Sequence, residues 1–368
     1  MRIAFYAPLK PPGHPTPSGD RRIARLFLEA LRRAGHQPFV ASRLRSLDSD
    51  GDAWHQARVA ALGQRTVERL LWQWQERPET APHLWFTYHL YYKAPDWLGP
   101  AISAALGIPY VIAEASYAAK RAGGSWAIGH RAIEQALRRA DAVIGLNSTD
   151  REGVIPTLRD PLRWFALLPF LDAAAYPAPP ARPAEAPRLI TVAMMRPGDK
   201  LASYRLLGTA LGRLLDLPWS LEIVGDGPAR GGVEQALAPL GPRVVYHGAL
   251  GQGAVAGALA GADFYVWPAI NEAFGMALLE AQASGLPVVA GASGGVADIV
   301  VPGQTGLLAP AGDADAFAMA ARRLITDPAA RAAMGLAARH KVRREHDLPV
   351  AAARLGQLIE GLGRRRAA

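Results

Sequence analysis

The chain contains no cysteine among its 368 residues. That excludes a disulfide framework, a thiol nucleophile and a zinc–thiolate centre, and it is compatible with a reducing compartment. Long uncharged apolar runs are missing as well. The opening run Met1 to Ala7 is too short for the apolar core of a secretory leader and is stopped by Pro8, Pro11 and Pro12, and later uncharged stretches are broken by Gly, Pro or Ser. No transmembrane span is therefore expected. Although 41 Lys+Arg against 32 Asp+Glu give a net charge of +9, no helix-turn-helix, finger or stacking-strand motif accompanies the charge, so nucleic acid is not the expected partner. Asp-x-Asp spacings that could carry a divalent ion occur at Asp48-Ser49-Asp50, in a polar loop with Gly51-Asp52, and at Asp313-Ala314-Asp315 before a helix. Neither follows a strand, and acids before a helix complement its dipole, so no metal is expected.

What is present is a repeated alternation of strands and helices. In the first half, strands are predicted near 2–7, 37–41, 84–88, 109–114, 142–146 and 164–168, with helical segments such as Arg21–Arg33 and Ala127–Arg139 between them. The second half repeats the pattern with strands near 189–193, 220–224, 243–247, 263–267, 287–290 and 306–308. Such alternation implies two α/β domains, each a mostly parallel, doubly wound sheet. The predicted boundaries are an N-terminal Rossmann-like domain over 1–171, a proline-rich linker over 172–187, a second domain over 188–345 and a helical segment over 346–368. That last segment either packs back on the first domain or stays on its own. Ligands of open α/β sheets bind beyond the carboxyl ends of the strands, so two such domains facing each other make a binding cleft.

The most informative stretch is Asn271-Glu272-Ala273-Phe274-Gly275-Met276-Ala277-Leu278-Leu279-Glu280. It follows the short strand Asp263 to Trp267, closed by Pro268, and leads into a helix from Met276 to Ser284, so residues 270–275 form a βα loop. Free N–H groups of that loop and of the first helical turn, with the helix dipole, favour a phosphate or diphosphate, and Gly275 lets a ligand approach the backbone. Glu272 and Glu280 then suit two hydroxyl-bearing parts of one extended ligand. Downstream come Ser284-Gly285, the strand Leu286-Pro287-Val288-Val289-Ala290, the turn Gly294-Gly295, and Gly303-Gln304-Thr305-Gly306-Leu307-Leu308. Taken in order from Trp267-Pro268 to Leu308, this run resembles the donor-site signature of the family-4 retaining glycosyltransferases of GT-B fold.

The resemblance implies further roles. Strand Leu189 to Ala193 runs into Met194-Met195-Arg196-Pro197-Gly198-Asp199-Lys200. Arg196 and Lys200 match the family's diphosphate-binding Arg and Lys; fixed cations there stabilise a leaving diphosphate most as the glycosidic bond breaks. The family usually has Gly after that Lys, where this chain has Leu201. Gly225-Asp226-Gly227-Pro228 with Gly231 raises a rival reading as a Rossmann dinucleotide site. Pro228 and the lack of an acid at the end of the next strand, which closes on His247-Gly248, argue against it.

The first domain is expected to supply the acceptor side. Gly19 matches the glycine-rich first βα loop of the family, with Ser18 where a second Gly is common. Arg21, Arg25 and Arg32 share one face of the following helix, opposite Ile23, Phe27 and Ala30. Residues 1–170 hold 22 Lys+Arg against 15 Asp+Glu, a surplus that suits an anionic membrane surface or an acidic acceptor. Tyr91 and Lys93 lie in an aromatic-rich segment after a strand, and Lys120 and Arg121 follow the strand Pro109–Ala113, which ends in Glu114. Many family members carry a His at that strand end, contacting the transferred sugar. Here Glu114 takes the position, and either it acts as hydroxyl ligand or base, or His89 reaches in from the neighbouring strand.

The expectation is a metal-independent retaining glycosyltransferase that moves a sugar from a nucleotide-sugar to a hydroxyl of an envelope-type acceptor, lipid or polysaccharide. The nucleotide-sugar is a co-substrate, and no cofactor is expected. The implied mechanism is front-face attack or a short-lived ion pair, because the backbone of 274–276 covers one face; Glu272 as nucleophile stays open. The alternatives are a sugar-phosphate synthase, for which Arg21, Arg25, Lys120 and Arg121 would hold the acceptor phosphate, and a catalytically silent nucleotide-sugar-binding subunit. A cytoplasmic location is expected, peripheral on the inner face of a membrane.

Overall fold

The structure, a computed structural model, describes residues 1–16, 18–179, 186–273 and 275–367. Two compact units emerge, Met1–Leu168 with Leu348–Ala368, and Pro169–Asp347. Among the described residues no helix is long and apolar enough to cross a membrane.

The first unit is a six-stranded parallel sheet of β1 (Arg2–Tyr6), β2 (Gln37–Val40), β3 (Leu84–Leu90), β4 (Tyr110–Ala115), β5 (Ala142–Gly145) and β6 (Trp164–Ala166), in the order β2-β1-β3-β4-β5-β6. Its inner strands are almost continuously buried, as a sheet covered on both faces requires. The covering helices are α1 (Gly19–Arg33), α2 (Ala53–Glu76), α3 (Gly99–Ala105), α4 (Ala127–Arg139) and α5 (Thr149–Val154). α1 buries Ile23, Phe27, Ala30 and Leu31, and Phe27 packs on Phe86 and Tyr88 of β3. Ser18, in place of a second glycine, caps α1 by accepting from the Arg21 amide at 3.2 Å.

The second unit is likewise parallel: β7 (Arg188–Val192), β8 (Ser220–Val224), β9 (Val244–Gly248), β10 (Phe264–Trp267), β11 (Val288–Ala292) and β12 (Gly306–Pro310), ordered β12-β11-β10-β7-β8-β9. Around it lie α6 (Asp199–Gly212), α7 (Arg230–Leu237), α8 (Gln252–Ala260), α9 (Met276–Ala283), α10 (Val296–Ile299), α11 (Ala314–Thr326) and α12 (Pro328–Glu345). The last helix, α13 (Leu348–Ala367), belongs to the first unit. There the Arg354 guanidinium donates to the Ala166 carbonyl at 2.7 Å and lies 5.4 Å over the Phe165 ring.

Each sheet has one place where neighbouring strands are joined to the rest in opposite directions, between β1 and β3 in the first unit and between β10 and β7 in the second. Loops leaving the carboxyl ends of those strand pairs part from each other and open a crevice. Both the candidate sites described below stand at these places.

The glycines after β8 serve packing. A Cβ at Gly225 would land on the Ala193 carbonyl and one at Gly227 on the Met195 carbonyl, and both residues have positive φ, at 149° and 153°. Asp226 is held by Arg230 at 3.4 Å. The turn that resembles a dinucleotide fingerprint therefore seats against the loop after β7. Gly225→Ala should accordingly lower stability by about 2 kcal/mol or more. Gly231→Ala, in a helix with nothing within 4 Å of the added carbon, should be neutral or stabilising by up to about 1 kcal/mol. Denaturant midpoints of the two variants check the difference.

Candidate active site

In the second unit, the loops after β7 and β10 are clipped together. Asn271 Nδ2 donates to Asp199 Oδ2 at 2.9 Å, and the Ile270 amide donates to Ser203 Oγ at 3.0 Å. Lys200 Nζ meets Glu272 Oε2 at 2.5 Å, while Trp267 Nε1 donates to the same oxygen at 3.1 Å. Lys200 also lies 5.4 Å over the Trp267 ring. Beneath the loop, Gly294 touches the Glu272 carbonyl so closely that a Cβ would collide with it, and the Gly295 amide donates to the Ala273 carbonyl at 3.0 Å. Gly275 caps α9 in the left-handed conformation at φ 74°, a geometry that favours glycine. Among the described residues the first-turn amides of Met276 and Ala277 find no backbone acceptor. Lys200 is thus a cation beside a helix N-terminus, held by a carboxylate that an incoming anion can displace.

Arg196 is exposed in the same loop. Glu280 is buried one turn into α9. Leu201, where the resembled family has glycine, packs against Gly232 of α7, whose added Cβ would lie 3.3 Å from the leucine side chain. A small residue on α7 thus makes room for the larger one on α6. Phe274 lies outside the described residues.

In the first unit, β3 and β4 both end in residues forced into the left-handed region, His89 at φ 61° and Glu114 at φ 59°. Backbone of this kind costs non-glycine residues about 1–3 kcal/mol and persists where the surroundings impose it. Here it turns the two side chains toward each other: His89 Nδ1 is 3.5 Å from Glu114 Oε1 and 3.1 Å from Oδ1 of Asp20, in the first turn of α1. Burial on its own would push the imidazole pKa down, but the charges of Glu114 and Asp20 outweigh it and raise the value to about 9. Burial pushes the Glu114 carboxyl up, against the pull of His89. Glu114 is 7% exposed, and its Oε2 has no hydrogen-bond partner among the described residues. The Tyr91 ring stands 5.2 Å from that of His89. The other non-glycine residues with positive φ among those described are Ala269 and Asn271. His89, Ala269 and Asn271 therefore sit at the ends of the crevice strands β3 and β10, and Glu114 ends the adjoining β4.

The remaining acceptor-side residues do not converge on one spot. Arg21 Nη1 donates to the carbonyls of His14 and Pro15 at 2.8 and 3.1 Å, and Arg25 Nε to that of Pro12 at 2.8 Å. These arginines organise the loop before α1 through one nitrogen each and keep further N–H donors. Lys93 lies 4.9 Å over the Trp126 ring, and Arg121 lies 5.2 Å over Trp126 and 5.6 Å over Tyr92. Lys120 is exposed. At Gly19 an added Cβ would meet nothing within 4 Å, so open space lies beside the start of α1. The two Asp-x-Asp spacings serve local structure: Asp48 accepts from the Asp50 and Gly51 amides, each at 3.0 Å, and Asp313 caps α11 through the Ala316 amide at 2.9 Å.

Residues 186–327 match the glycosyl transferases group 1 family. The fold over nearly the whole chain is similar to that of sucrose-phosphate synthase from Thermosynechococcus elongatus (TM-score 0.75, 22% identity, covering 99% of this chain and 100% of that one). It is similar too to HepE of Anabaena in complex with UDP (TM-score 0.74, 17% identity, 98% and 100%). The chain carries a group 1 glycosyltransferase domain on a GT-B fold. A GDP-mannose-dependent alpha-(1-6)-phosphatidylinositol monomannoside mannosyltransferase of Mycolicibacterium smegmatis is 36% identical over 153 residues, 39% of this chain and 40% of the relative. Sulfoquinovosyl transferase SQD2 of Arabidopsis thaliana is 33% identical over 145 residues, 39% and 28%. The matched part thus spans two fifths or less of these curated relatives.

The group 1 domain contains the Lys200–Glu272 cluster, while Asp20, His89 and Glu114 lie outside the matched residues. The partnership of Asp20 with His89 was not visible in the sequence reading; the only signal was an acid in the first turn of α1, one residue after Gly19. Because His89 has a higher pKa in the folded chain than its ordinary 6.5, it contributes stability that is fully present below pH 6.5 and is lost as pH rises through about 9. The groups facing it are Asp20, Glu114, Asp150, Tyr88 and Tyr91. Histidine-selective NMR should find one imidazole titrating near pH 9, and Glu114→Gln should lower that midpoint by about one pH unit or more.

Proposed function

We propose that the protein is a retaining glycosyltransferase that moves a sugar from a nucleotide-sugar to a hydroxyl of an envelope-type acceptor. The observation that carries this reading is the ion pair of Lys200 and Glu272 at the crevice between β7 and β10, beside the N-terminus of α9 and inside the group 1 domain. A nucleoside diphosphate entering there takes Lys200 away from Glu272 and accepts hydrogen bonds from the first-turn amides. Arg196, four residues before Lys200, adds a second cation. Charge builds on the leaving diphosphate as the glycosidic bond breaks, so these fixed groups stabilise the transition state more than the ground state. Glu272, released from Lys200, accepts from hydroxyls of the transferred sugar, and Glu280 serves the ribose end. The acceptor hydroxyl attacks the same face from which the diphosphate departs. On the acceptor side, His89 as an imidazolium donates and Glu114 accepts, a pair suited to sugar hydroxyls.

Arg21 and Arg25 each use one nitrogen on loop carbonyls and keep further N–H donors, so a phosphorylated acceptor is the second reading, in line with the D-inositol 3-phosphate glycosyltransferases among the relatives. The relatives named above for phosphatidylinositol mannoside and sulfoquinovosyl transfer are consistent with a lipid-linked acceptor. Catalysis without a divalent ion is supported by the cations Lys200 and Arg196 and by the local hydrogen bonds of Asp48 in its turn and Asp313 at its cap.

Nucleoside diphosphates should raise the melting temperature. Lys200→Ala and Arg196→Ala should each lower both diphosphate affinity and kcat/KM by the equivalent of about 1.5–3 kcal/mol. Unchanged product inhibition in both variants would contradict the assignment. Turnover should continue in excess chelator; a loss restored by magnesium or manganese would show a metal requirement. Mild loss in Glu114→Gln with severe loss in Glu114→Ala marks a hydroxyl ligand, whereas severe loss in both marks a base, whose help is typically worth about 10²–10⁴-fold. Proton NMR of the first product should show the anomeric configuration of the donor.

A further inference from the structure

Helix α2 shows an unusual division of its faces. Val59, Gly63, Val67, Leu70 and Trp74 are buried along one stripe and are taken up by the unit, with α2 lying against α3 and α4. On the opposite side Trp54 and Trp72 are 69% and 63% exposed. At 3.6 residues per turn they are about five turns apart, in line along the helix and roughly 27 Å from each other. Arg65 falls on nearly the same line, and Arg58 and Arg69 lie within about 60° of it. All three arginines are exposed, and among the described residues none is ion-paired. Arg58 lies 5.4 Å over the Trp54 ring. Two acids share this face, Glu68 and Glu76, each about 40° from the Trp54–Trp72 line, with Glu68 accepting from Gln64 at 3.0 Å and Glu76 in the last turn.

An apolar core explains neither the tryptophans nor the arginines, since neither enters it. Exposed tryptophan is suited to the boundary of a bilayer, where the ring meets acyl chains and the indole N–H meets headgroups. Arginines set between two such rings are placed for phosphate oxygens. We propose that the Trp54–Trp72 face of α2 lies flat on an anionic phospholipid surface, with the tryptophans at headgroup depth and Arg58, Arg65 and Arg69 on lipid phosphates. Because the apolar stripe of α2 is occupied inside the protein, the contact is a shallow docking and not an insertion of the helix. The positive charge of the chain agrees with this occupant: the surplus of Lys and Arg is confined to the unit that contains α2. In relation to the proposed function, the surface would bring the enzyme to an acceptor embedded in the membrane; the inference rests on that reading for its purpose alone.

The test is co-sedimentation of the full chain with vesicles of phosphatidylcholine, alone or with about one third phosphatidylglycerol, at low and high salt. The wild type should bind only the anionic vesicles, and high salt should release it. Arg58→Gln/Arg65→Gln/Arg69→Gln should weaken binding on the order of 100-fold, and Trp54→Ala/Trp72→Ala roughly 10-fold or more. Both variants should keep the wild-type melting temperature and its rise with nucleoside diphosphate, so loss of vesicle binding is separated from unfolding and from failure of the donor site. Absence of wild-type binding, equal binding to neutral vesicles, or wild-type affinity in both variants overturns the proposal. So does a concentration-dependent dimer that the same substitutions abolish, since the face would then pair two copies of the chain.

Discussion

The reversal of strand order in a parallel sheet is the constraint on which the rest of this molecule depends. Parallel strands need crossover helices, and where the crossovers part to opposite sides the strand ends are left uncovered. In the second unit that gap lies between β10 and β7, and in the first between β1 and β3. Polar and charged side chains can stand there without interrupting the sheet core, and backbone amides at helix starts point the same way. Among the described residues, three of the four non-glycine residues with positive φ, His89, Ala269 and Asn271, sit at these gaps, and Glu114 ends the adjoining β4. Strain is thus confined to the places where side chains have to be aimed.

The two sites solve opposite electrostatic problems. In the second unit an exposed arginine and a lysine stand beside a helix N-terminus, and one glutamate keeps the lysine in place. That arrangement suits the anion proposed for it. In the first unit one imidazole sits between two carboxylates at a buried strand end. Its proton is stabilised by those charges, and the cluster offers both donor and acceptor to hydroxyls while presenting no surplus of positive charge. A nucleotide-sugar and a hydroxyl acceptor need those two environments, and a dinucleotide would not need the second. The glycines after β8, which alone suggested a dinucleotide, pack against carbonyls of the neighbouring loop.

The sequence revealed most where the chemistry is local. Strand, loop and helix follow one another between Asp263 and Ser284, so period and turn residues were enough to place Glu272, Gly275 and Glu280, and the same holds for Arg196 and Lys200. Partnerships across long separations were not legible. Nothing in the spacing tells that Asp20 meets His89, because that depends on the register of β1 with β3 and on left-handed backbone at His89. Helical periodicity placed Arg21 and Arg25 on one face correctly, yet could not show that carbonyls of residues 12–15 lie within their reach. Departures from the resembled pattern have local causes: Ser18 replaces a glycine by capping α1, and Leu201 fits because α7 has glycine opposite. The exposed stripe of α2 became visible only with burial, since tryptophan in a helix ordinarily signals core.

A nucleoside diphosphate is proposed to bind where the loops after β7 and β10 meet. The most direct measurement is a crystal structure of the chain soaked with, or grown in, a nucleoside diphosphate. The diphosphate should lie within hydrogen-bonding distance of Lys200 Nζ and the first amides of α9, with the Lys200–Glu272 ion pair broken. A diphosphate seated instead on the Gly225–Gly227 turn, with that ion pair intact, would contradict it.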